Sequence, residues 1–490
     1  MSDARLSETK RSLLDRYLSG SFGEVKDPNA ITPRPPNTPV PLSLAQEQLW
    51  LRSQKDGLAS LYNETITIRR SGPLDCHALE RALAEIVRRH EILRTTYDTV
   101  DGRPIQVIHP APDTFPLTLI DLRGRSENRI TEELQQFTSI EAQRPFDLRW
   151  GPLLRVALVR TADTEYRLAI VAHLSIIDGV SVYQVLPSEL AALYNAFSEG
   201  KSSPLEELSI QYGDYAFWQR SAMRDAMWGT QCTYWKEQLA GELSLFPWAA
   251  DRSMPILQAC RGGIHSFALD QAACSGLKGL SRREGVTLFT ALLTSFASLL
   301  YCYTGKEDIL IGTPSSAGRK RREVQGLFGY FLNPVPVRIS LTGDPSSREL
   351  LKRVQQSIGG AISHDDLPIE VLAERLQLKM HPEGTSLITV GISLQPQAPD
   401  FPKEWKVTSM DANSGRSPWA LYLAFIDRQD GMIGRAQYNS DVFDTLAITQ
   451  ILEDLSTTMQ SISSAPDRNI SSLRTKRFPG GEVFSHSQWN

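Results

Sequence analysis

The feature that most limits what this chain can fold into is the alternation of helical and strand patterns that starts at Leu42. A long amphipathic helix, "HALERALAEIVRRHEILRTTY", runs towards a strand, and "RPIQVIH", "LLRVALVR" and "EYRLAIVAH" have the apolar character of strands. A helix follows in "SVYQVLPSELAALYNAFSEG", where Pro187 is expected to mark a kink or a restart. Mixed elements of this kind predict an α/β protein.

The second half of the chain has the same texture. The segments "CSGLKGLSRREG", "LFTALLTSFASLLYCYTG" and "SSRELLKRVQQSIGGAISH" are typical of helices, and "TLAITQILEDLSTTMQSISSA" is typical of a closing helix. The segments "DILIGTP", "NPVPVRISL", "LITVGISLQ" and "WALYLAFIDR" are typical of strands. Because no short-period repeat accompanies them, the simplest interpretation is two α/β lobes that divide near residues 200–210.

One uncharged run, from Val286 to Thr304, has about the length that a membrane span requires. Its serines and threonines are numerous, and its apolar residues favour one stripe through Leu288, Leu292 and Phe296. We therefore predict a buried core helix and no membrane partner.

The N-terminus combines a short helix with a proline-rich segment. Leu6 to Ser19 has the pattern of an amphipathic helix, so a docking-type helix is predicted within residues 1–24. The prolines between Pro28 and Pro41 exclude a helix and predict an extended linker over residues 25–41. The residues alone leave open whether the helix is a frayed arm or docks on a partner.

Composition excludes several classes of protein. The 490 residues carry 52 basic and 56 acidic side chains, a net charge of −4, which argues against a nucleic-acid partner or an anionic membrane. The 5 cysteines are scattered and do not cluster with the 8 histidines at zinc-ligand spacing, so reduced thiols and no metal site are expected. The first residues contain no apolar core of a signal peptide, and we predict a cytoplasmic protein.

The strongest candidate site is "VAHLSIIDGVS", in which an apolar strand delivers His173 and a turn brings Asp178 and Gly179. His173 could act as a general base or orient a substrate, and Gly179 would let the backbone approach a ligand or take a positive φ. The alternative from the residues alone is a core histidine beside a turn-forming Asp-Gly pair.

A second candidate segment runs from Ile311 to Pro334. It is a long, glycine-marked loop with a basic run at Arg319 to Arg322, and loops of this length inside a domain are usually functional. The basic run by itself is better explained by a solvated surface. The chain contains no P-loop, no dinucleotide fingerprint and no G-x-S-x-G elbow.

Six segments in order resemble the signatures of one family. They are "LSLAQEQLW", "RRHEILRTTY", "HLSIIDGVS", "QYGDYAFWQR", "IGTPSSAGRKRREVQGLFGYFLNPVPVR" and "SHDDLPIEVL". The chain resembles the condensation domains of nonribosomal peptide synthetases, in the chloramphenicol acetyltransferase-like superfamily, from about Leu42 to Phe478. The resemblance implies two lobes in a V around a central tunnel, with an N-terminal lobe at residues 42–205, a C-terminal lobe at 206–480 and a tail at 481–490.

The resemblance also implies a chemistry and a set of partners. Donor and acceptor carrier proteins would present substrates as phosphopantetheine thioesters, and the acceptor amine would attack the donor thioester to form an amide. The domain would use no cofactor of its own and no metal. It is expected to act as a monomer that meets an upstream synthetase through the N-terminal helix.

Carried over residue by residue, the resemblance assigns five positions. His173, Asp178 and Gly179 match the first histidine, the aspartate and the glycine of the family's catalytic HHxxxDG motif. Arg319 matches the arginine that pairs with the aspartate, and Asn333 matches the asparagine of the fifth motif, so both are expected to support the site.

Leu174 is the departure, because it stands where the family has its second histidine. Leucine neither accepts a proton nor orients an amine by hydrogen bonding. Three functions therefore remain open: a condensation-type acyltransferase that works by proximity or through a relocated base, a non-catalytic module that binds carriers or recruits a tailoring enzyme, and an acyltransferase for an untethered amine or alcohol.

Overall fold

The computed structural model describes residues 30–55, 58–222, 225–241, 243, 260–376, 388–395, 404–407, 414–428 and 431–473. The predicted N-terminal helix, the first part of the predicted linker and the predicted tail lie outside these residues. Their existence stays a prediction.

The described residues contain both kinds of regular element. The strands are β1 (Val40–Pro41), β2 (Asn63–Ser71), β3 (Thr95–Val100), β4 (Arg103–Ile108), β5 (Thr118–Asp121), β6 (Leu154–Ala162), β7 (Glu165–His173), β8 (Gly262–Ala268), β9 (Asp308–Ser315), β10 (Asn333–Ser340), β11 (Val390–Gln395), β12 (Trp405–Val407), β13 (Leu421–Arg428) and β14 (Gly431–Asn439). The α-helices are α1 (Leu44–Ser53), α2 (Cys76–Arg89), α3 (Glu127–Gln143), α4 (Leu186–Ser198), α5 (Tyr212–Ala222), α6 (Asp225–Gln238), α7 (Gln271–Glu284), α8 (Leu288–Thr304), α9 (Ser347–Ser363), α10 (Ile369–Arg375) and α11 (Thr445–Ser464). The predicted α/β class is confirmed.

Local signals explain where several helices begin. The Asp75 side chain accepts hydrogen bonds from the first backbone N–H groups of α2, and Thr287 does the same for α8. Ser346 and Glu349 form a reciprocal capping box at the start of α9. Pro187 lies in the first turn of α4, directly after a short π-helical segment. The helix therefore restarts at Pro187, as predicted.

Three sheets organise the strands. The first sheet has the order β12-β2-β7-β6-β5, the second has the order β10-β9-β11-β13-β14-β8, and β1-β4-β3 form a small third sheet. Most neighbouring strands are antiparallel, but β5 runs parallel to β6, and β11 runs parallel to both β9 and β13. The first sheet belongs mainly to the first half of the chain and the second sheet to the second half.

Each large sheet packs into its own hydrophobic core. In the second core α8 is buried over nearly its whole length, which confirms the prediction for the uncharged run from Val286 to Thr304. Among the described residues, no single helix is long and apolar enough to cross a membrane. The consecutive helices α7 and α8 together have the length and composition of a span, but the chain bends by 114° between them.

Segments of the second half also complete the first core. Tyr212, Phe328 and Trp405 pack into the same cluster as Ile66 and Leu168 of the first sheet. The strand β12 forms one edge of the first sheet and pairs with β2, with Trp405 opposite Arg70. Residues from beyond the predicted boundary at 205/206 therefore return to pack into the first half in several places.

The described part of the predicted proline linker is packed and is not a free spacer. Ile31 and Val40 are buried, and Arg34 forms ion pairs with Glu91 at 2.8 Å and Asp214 at 2.7 Å. Proline has no N–H to donate, which suits the edge position of the two-residue strand β1. The prolines keep this segment extended while its other side chains bind it to the body of the protein.

Candidate functional site

The pairing of β2 with β7 determines which side chains of the HLSIIDG segment face the site. Asn63 lies opposite His173, and the Leu174 N–H donates to the carbonyl of Tyr62 over 2.8 Å. Side chains alternate between the two faces of a strand. Tyr62, Glu64 and Leu174 consequently share one face, and all three line a cavity.

His173 does not line that cavity. Its side chain is fully buried beside the rings of Tyr62 and Phe146. Its Nδ1 lies 2.8 Å from the Ser175 hydroxyl and accepts the Ser175 backbone N–H over 3.3 Å. Burial lowers the pKa of His173 to about 3, so the ring is neutral at physiological pH. This environment suits a side chain that holds the turn, and the catalytic role expected for His173 stays a prediction.

Asp178 and Arg319 form the ion pair that the resemblance implies, and both side chains are buried. Arg319 Nε donates to Asp178 Oδ2 over 2.7 Å, and Nη2 donates to Oδ1 over 2.8 Å. The Ser181 hydroxyl and N–H also donate to Oδ1, each over 2.8 Å. Arg319 further donates to the carbonyl oxygens of Val324 and Leu327. The pair therefore fastens the turn of the first half to the long loop of the second half.

Gly179 and Asn333 both line the cavity. The φ of Gly179 is not in the left-handed range, and a Cβ at this position would lie 3.1 Å from Gln395 Oε1. Of the two roles expected for Gly179, a positive φ does not fit the structure, and the approach of its backbone to a ligand stays a prediction. Asn333 Nδ2 donates to the carbonyl oxygens of Asp365 and Leu367, so it ties the start of β10 to the segment before α10.

The cavity has a volume of about 620 Å³, and both halves of the chain line it. Leu174 contributes to an apolar part of its wall with Leu49, Leu61 and Tyr330. Leu174, which stands in the sequence where the family motif has its second histidine, is thus part of an apolar patch.

Two charge pairs cross the cavity between the halves. Arg52 of α1 binds Glu370 of α10 at 2.6 Å, and Glu64 of β2 lies 4.0 Å from Arg435 of β14. Burial raises the pKa of Glu64, and Arg435 opposes that rise. All four side chains line the cavity. Sequence reasoning missed these residues because nothing in their local patterns distinguishes them from other charged residues of helices and strands.

A second cavity of about 620 Å³ lies within the first half. Phe115, Phe137 and Trp150 line it, and neither Leu174 nor any of the five positions assigned from the resemblance is part of its wall. Within the ranges that the structure describes, no group of three or more His, Cys, Asp or Glu side chains is arranged to hold a metal ion.

Comparison with known sequences identifies the family. The family model described as condensation domain matches residues 37–477. One of the linear gramicidin synthase proteins of Brevibacillus parabrevis is 35% identical over 458 residues, which cover 93% of this chain and 9% of that protein. The chain thus spans about a tenth of the length of this relative.

Solved structures agree with the sequence comparison. The X-domain from teicoplanin biosynthesis matches with a TM-score of 0.76 and 26% identity, covering 90% of this chain and 99% of that one. The same domain in complex with OxyB matches with a TM-score of 0.76 and 26% identity, covering 91% and 97%. The first condensation domain of the calcium-dependent antibiotic synthetase shares the fold, with a TM-score of 0.76 and 20% identity over 89% and 99% of the two chains.

The chloramphenicol acetyltransferase-like fold expected from the resemblance is confirmed by these structures, whereas the V-shaped arrangement of two lobes stays a prediction. Both the family model and the relative cover nearly the whole chain. The chain therefore belongs to the family of condensation domains of nonribosomal peptide synthetases.

Proposed function

We propose that this chain is a condensation-type acyltransferase that joins a carrier-bound acyl or aminoacyl thioester to an amine acceptor. The observation that carries the proposal is the open cavity between the halves, with Leu174, Gly179 and Asn333 in its wall. The Asp178–Arg319 pair holds the motif turn in place beside it. An amine and a thioester that enter this cavity are brought together at the motif.

The reaction needs little more than alignment. The acceptor nitrogen attacks the thioester carbonyl, the C–N bond forms, the C–S bond breaks, and the amine proton ends on the departing thiolate. Alignment of two reactants reaches effective molarities of about 10⁵–10⁸ M, whereas a positioned general base contributes about 10²–10⁴-fold. A chain with Leu174 in place of a base can therefore keep most of the acceleration.

The roles we assign follow the geometry. His173 supports the turn from inside the first half, Asp178 and Arg319 join that turn to the second half, and Gly179 leaves space for a substrate arm. Asn333 holds the opposite wall. The substrates are phosphopantetheine thioesters on donor and acceptor carrier proteins, the chain acts as a monomer, and it requires no cofactor of its own.

A second candidate function is a module that binds carriers or recruits a tailoring enzyme. Two observations favour it. A solved relative, the X-domain from teicoplanin biosynthesis, forms a complex with OxyB. The wall around Leu174 is apolar at the place where the family's second histidine would lie.

The test uses the full chain with carrier domains loaded with aminoacyl-phosphopantetheine. The donor amine is acetylated, so only the acceptor amine can attack, and intact-protein mass spectrometry measures single-turnover product on the acceptor carrier. We expect product from the native chain above the uncatalysed background. Leu174→His is expected to change the rate less than about tenfold, because alignment already supplies most of the acceleration.

Each alternative has its own outcome. Carrier binding by the native chain without any product, measured by surface plasmon resonance, would favour the recruitment module over the acyltransferase. Transfer of the donor acyl group to a free amine or alcohol, but not to the loaded acceptor carrier, would favour an acyltransferase for untethered acceptors.

A further inference from the structure

Glu64 lies beside Leu174 on the cavity face of the first sheet. Leu174 directly follows the end of β7, and its N–H donates to the carbonyl of Tyr62, so Glu64 is the diagonal neighbour of Leu174 on the adjacent strand. Diagonal neighbours on one face of a sheet lie about 7–8 Å apart, and their Cβ atoms are somewhat closer. Their side chains therefore flank one small region of the cavity, and both are part of its wall.

The other acidic groups of the cavity are already occupied. Asp178 accepts hydrogen bonds from Arg319 and Ser181, and Glu370 binds Arg52 at 2.6 Å. Glu64 differs from them, because its ion pair with Arg435 is at 4.0 Å, the long end of the range for such contacts. A carboxylate in such a loose ion pair retains lone pairs that a substrate N–H can reach.

The charged and titratable groups that act on Glu64 are few. Within the part of the chain that the structure describes, Arg435 on β14 lowers the pKa of Glu64, and Glu64 in turn raises the pKa of Tyr422 on β13. Asn63, the preceding residue on β2, faces the other way and donates to the carbonyl oxygens of Ala142 and Arg144. Glu64 is thus the acid of the first sheet that faces the second sheet across the cavity.

We propose that Glu64 is the base of this site and accepts the proton of the acceptor amine. The inference rests on the proposed condensation function and deepens it. In the step, the amine nitrogen attacks the thioester carbonyl while the Glu64 carboxylate takes one N–H proton. The C–N bond forms, the C–S bond breaks, and protonated Glu64 returns the proton to the thiolate of the phosphopantetheine arm.

The electrostatic environment suits this role. Burial raises the pKa of Glu64 from its ordinary value, so its basicity lies closer to neutral pH than that of an exposed glutamate. Arg435 acts in the opposite direction and favours the charged carboxylate. Burial instead leaves His173 a very weak base, with a pKa of about 3.

The experiment compares Glu64→Gln with a matched control, Glu165→Gln. Glu165 lies at the far end of the same pair of strands, opposite Ser71, where it pairs with Arg69 at 2.8 Å. The substrates are the acetylated aminoacyl donor carrier and the aminoacyl acceptor carrier. We expect Glu64→Gln to lower the single-turnover rate by about 100-fold or more and Glu165→Gln to leave it unchanged.

A pH profile separates a base from a residue that only supports the wall. The acceptor amine titrates in every variant, so the ratio of the native rate to the Glu64→Gln rate isolates Glu64. We expect this ratio to fall towards 1 as the pH decreases and Glu64 becomes protonated. In the Arg435→Gln background the same fall is expected at higher pH, because Arg435 lowers the pKa of Glu64.

The outcomes are distinguishable. A native chain that makes no product with any carrier pair overturns the condensation function, and the role of Glu64 with it. A native chain that makes product, with a Glu64→Gln variant of equal rate, overturns the inference alone. A slow Glu64→Gln variant whose melting temperature matches that of the native chain but whose rate ratio does not depend on pH also overturns it.

Discussion

At the scale of single residues, His173 and Leu174 show how one step along a strand changes the role of a side chain. His173 is fully buried beside Phe146 and Ser175, whereas Leu174 lies in the cavity wall with Tyr62. Strand alternation separates the two faces. The histidine of this pair is therefore enclosed, and the position that faces the cavity is apolar.

The enclosed histidine predicts a pH-dependent loss of stability. The pKa of His173 is about 3 in the folded chain and about 6.5 in an unfolded one. Below about pH 6 the unfolded state takes up a proton that the folded state excludes. Stability should thus fall by about 1.4 kcal/mol for each further pH unit because of this residue.

The measurement is the free energy of unfolding by urea between pH 7 and pH 4, for native chain and His173→Asn. The asparagine Oδ1 can still accept the Ser175 N–H, but it does not titrate. We expect the variant to be less stable at pH 7 and to lose less stability on acidification. If the free energy of unfolding fell equally with decreasing pH in the two proteins, this would contradict a neutral, buried His173.

Asp178 gives the second residue-scale prediction. Asp178→Ala leaves the buried guanidinium of Arg319 without its carboxylate, a change that costs about 3–5 kcal/mol. We expect the midpoint of urea unfolding to fall accordingly. The control is Glu133→Ala, which removes an i,i+4 partner of Arg129 on the surface of α3 and should cost less than about 1 kcal/mol. Similar losses in the two variants would argue against a structural role for the Asp178–Arg319 pair.

At the scale of elements, the segment between β9 and β10 is the most instructive. The sequence predicted a functional loop with a basic run. In the structure, Arg319 of this loop forms the buried ion pair with Asp178. Three of its apolar residues pack into the first core, namely Val324, Leu327 and Phe328. A basic run read as a surface feature thus includes one fully enclosed arginine. The carbonyl oxygens of this loop satisfy the Arg319 donors that Asp178 does not reach.

Gly329 gives the element-scale prediction. Its φ is +153°, and a Cβ there would lie 1.9 Å from Cδ2 of Tyr212, a buried ring whose hydroxyl donates to the Tyr330 carbonyl. Gly329→Ala combines backbone strain with overpacking, so we expect a loss of about 3 kcal/mol or more.

The control lies in the same loop. A Cβ at Gly326 meets nothing within 4 Å, so Gly326→Ala should change the free energy of unfolding by less than about 0.5 kcal/mol. Thermal unfolding followed by circular dichroism measures both variants. If the Gly329→Ala variant had the same melting temperature as Gly326→Ala, this would contradict the close packing of the loop on α5.

At the scale of the whole molecule, the two halves are joined by more than a shared surface. Trp405 of β12 packs into the first core beside Tyr194, and β12 extends the first sheet. The two charge pairs across the cavity and the Asp178–Arg319 pair add polar links. The first core is therefore incomplete without the second half of the chain.

This interdependence predicts how a fragment behaves. Residues 30–205 alone lack Tyr212, Phe328 and Trp405 and leave Asp178 without Arg319. We expect the fragment to show no cooperative thermal transition and to bind a hydrophobic dye, whereas the full chain unfolds cooperatively. A fragment that melts as sharply as the full chain would show that the first lobe folds on its own.

The sequence by itself determined the order of the main helices and strands, the burial of α8 and the family, because periodicity, capping residues and motif order are local properties of a chain. It also indicated the partnership of Arg319 with Asp178 through the resemblance. The helices α1, α3, α5 and α6 and the strands β2, β5, β8 and β14 were among the elements missed, since their patterns are weaker than those of their neighbours.

Only the tertiary structure decided which residues face the cavity. The register of β2 against β7 placed Glu64 beside Leu174, and the packing of the two large sheets brought Arg435 to Glu64 and Glu370 to Arg52. Arg52 and Glu370 are 318 residues apart in the chain. Contacts of this kind depend on how distant surfaces pack, which no local pattern records, and they supply the charged groups at which substrate chemistry is proposed.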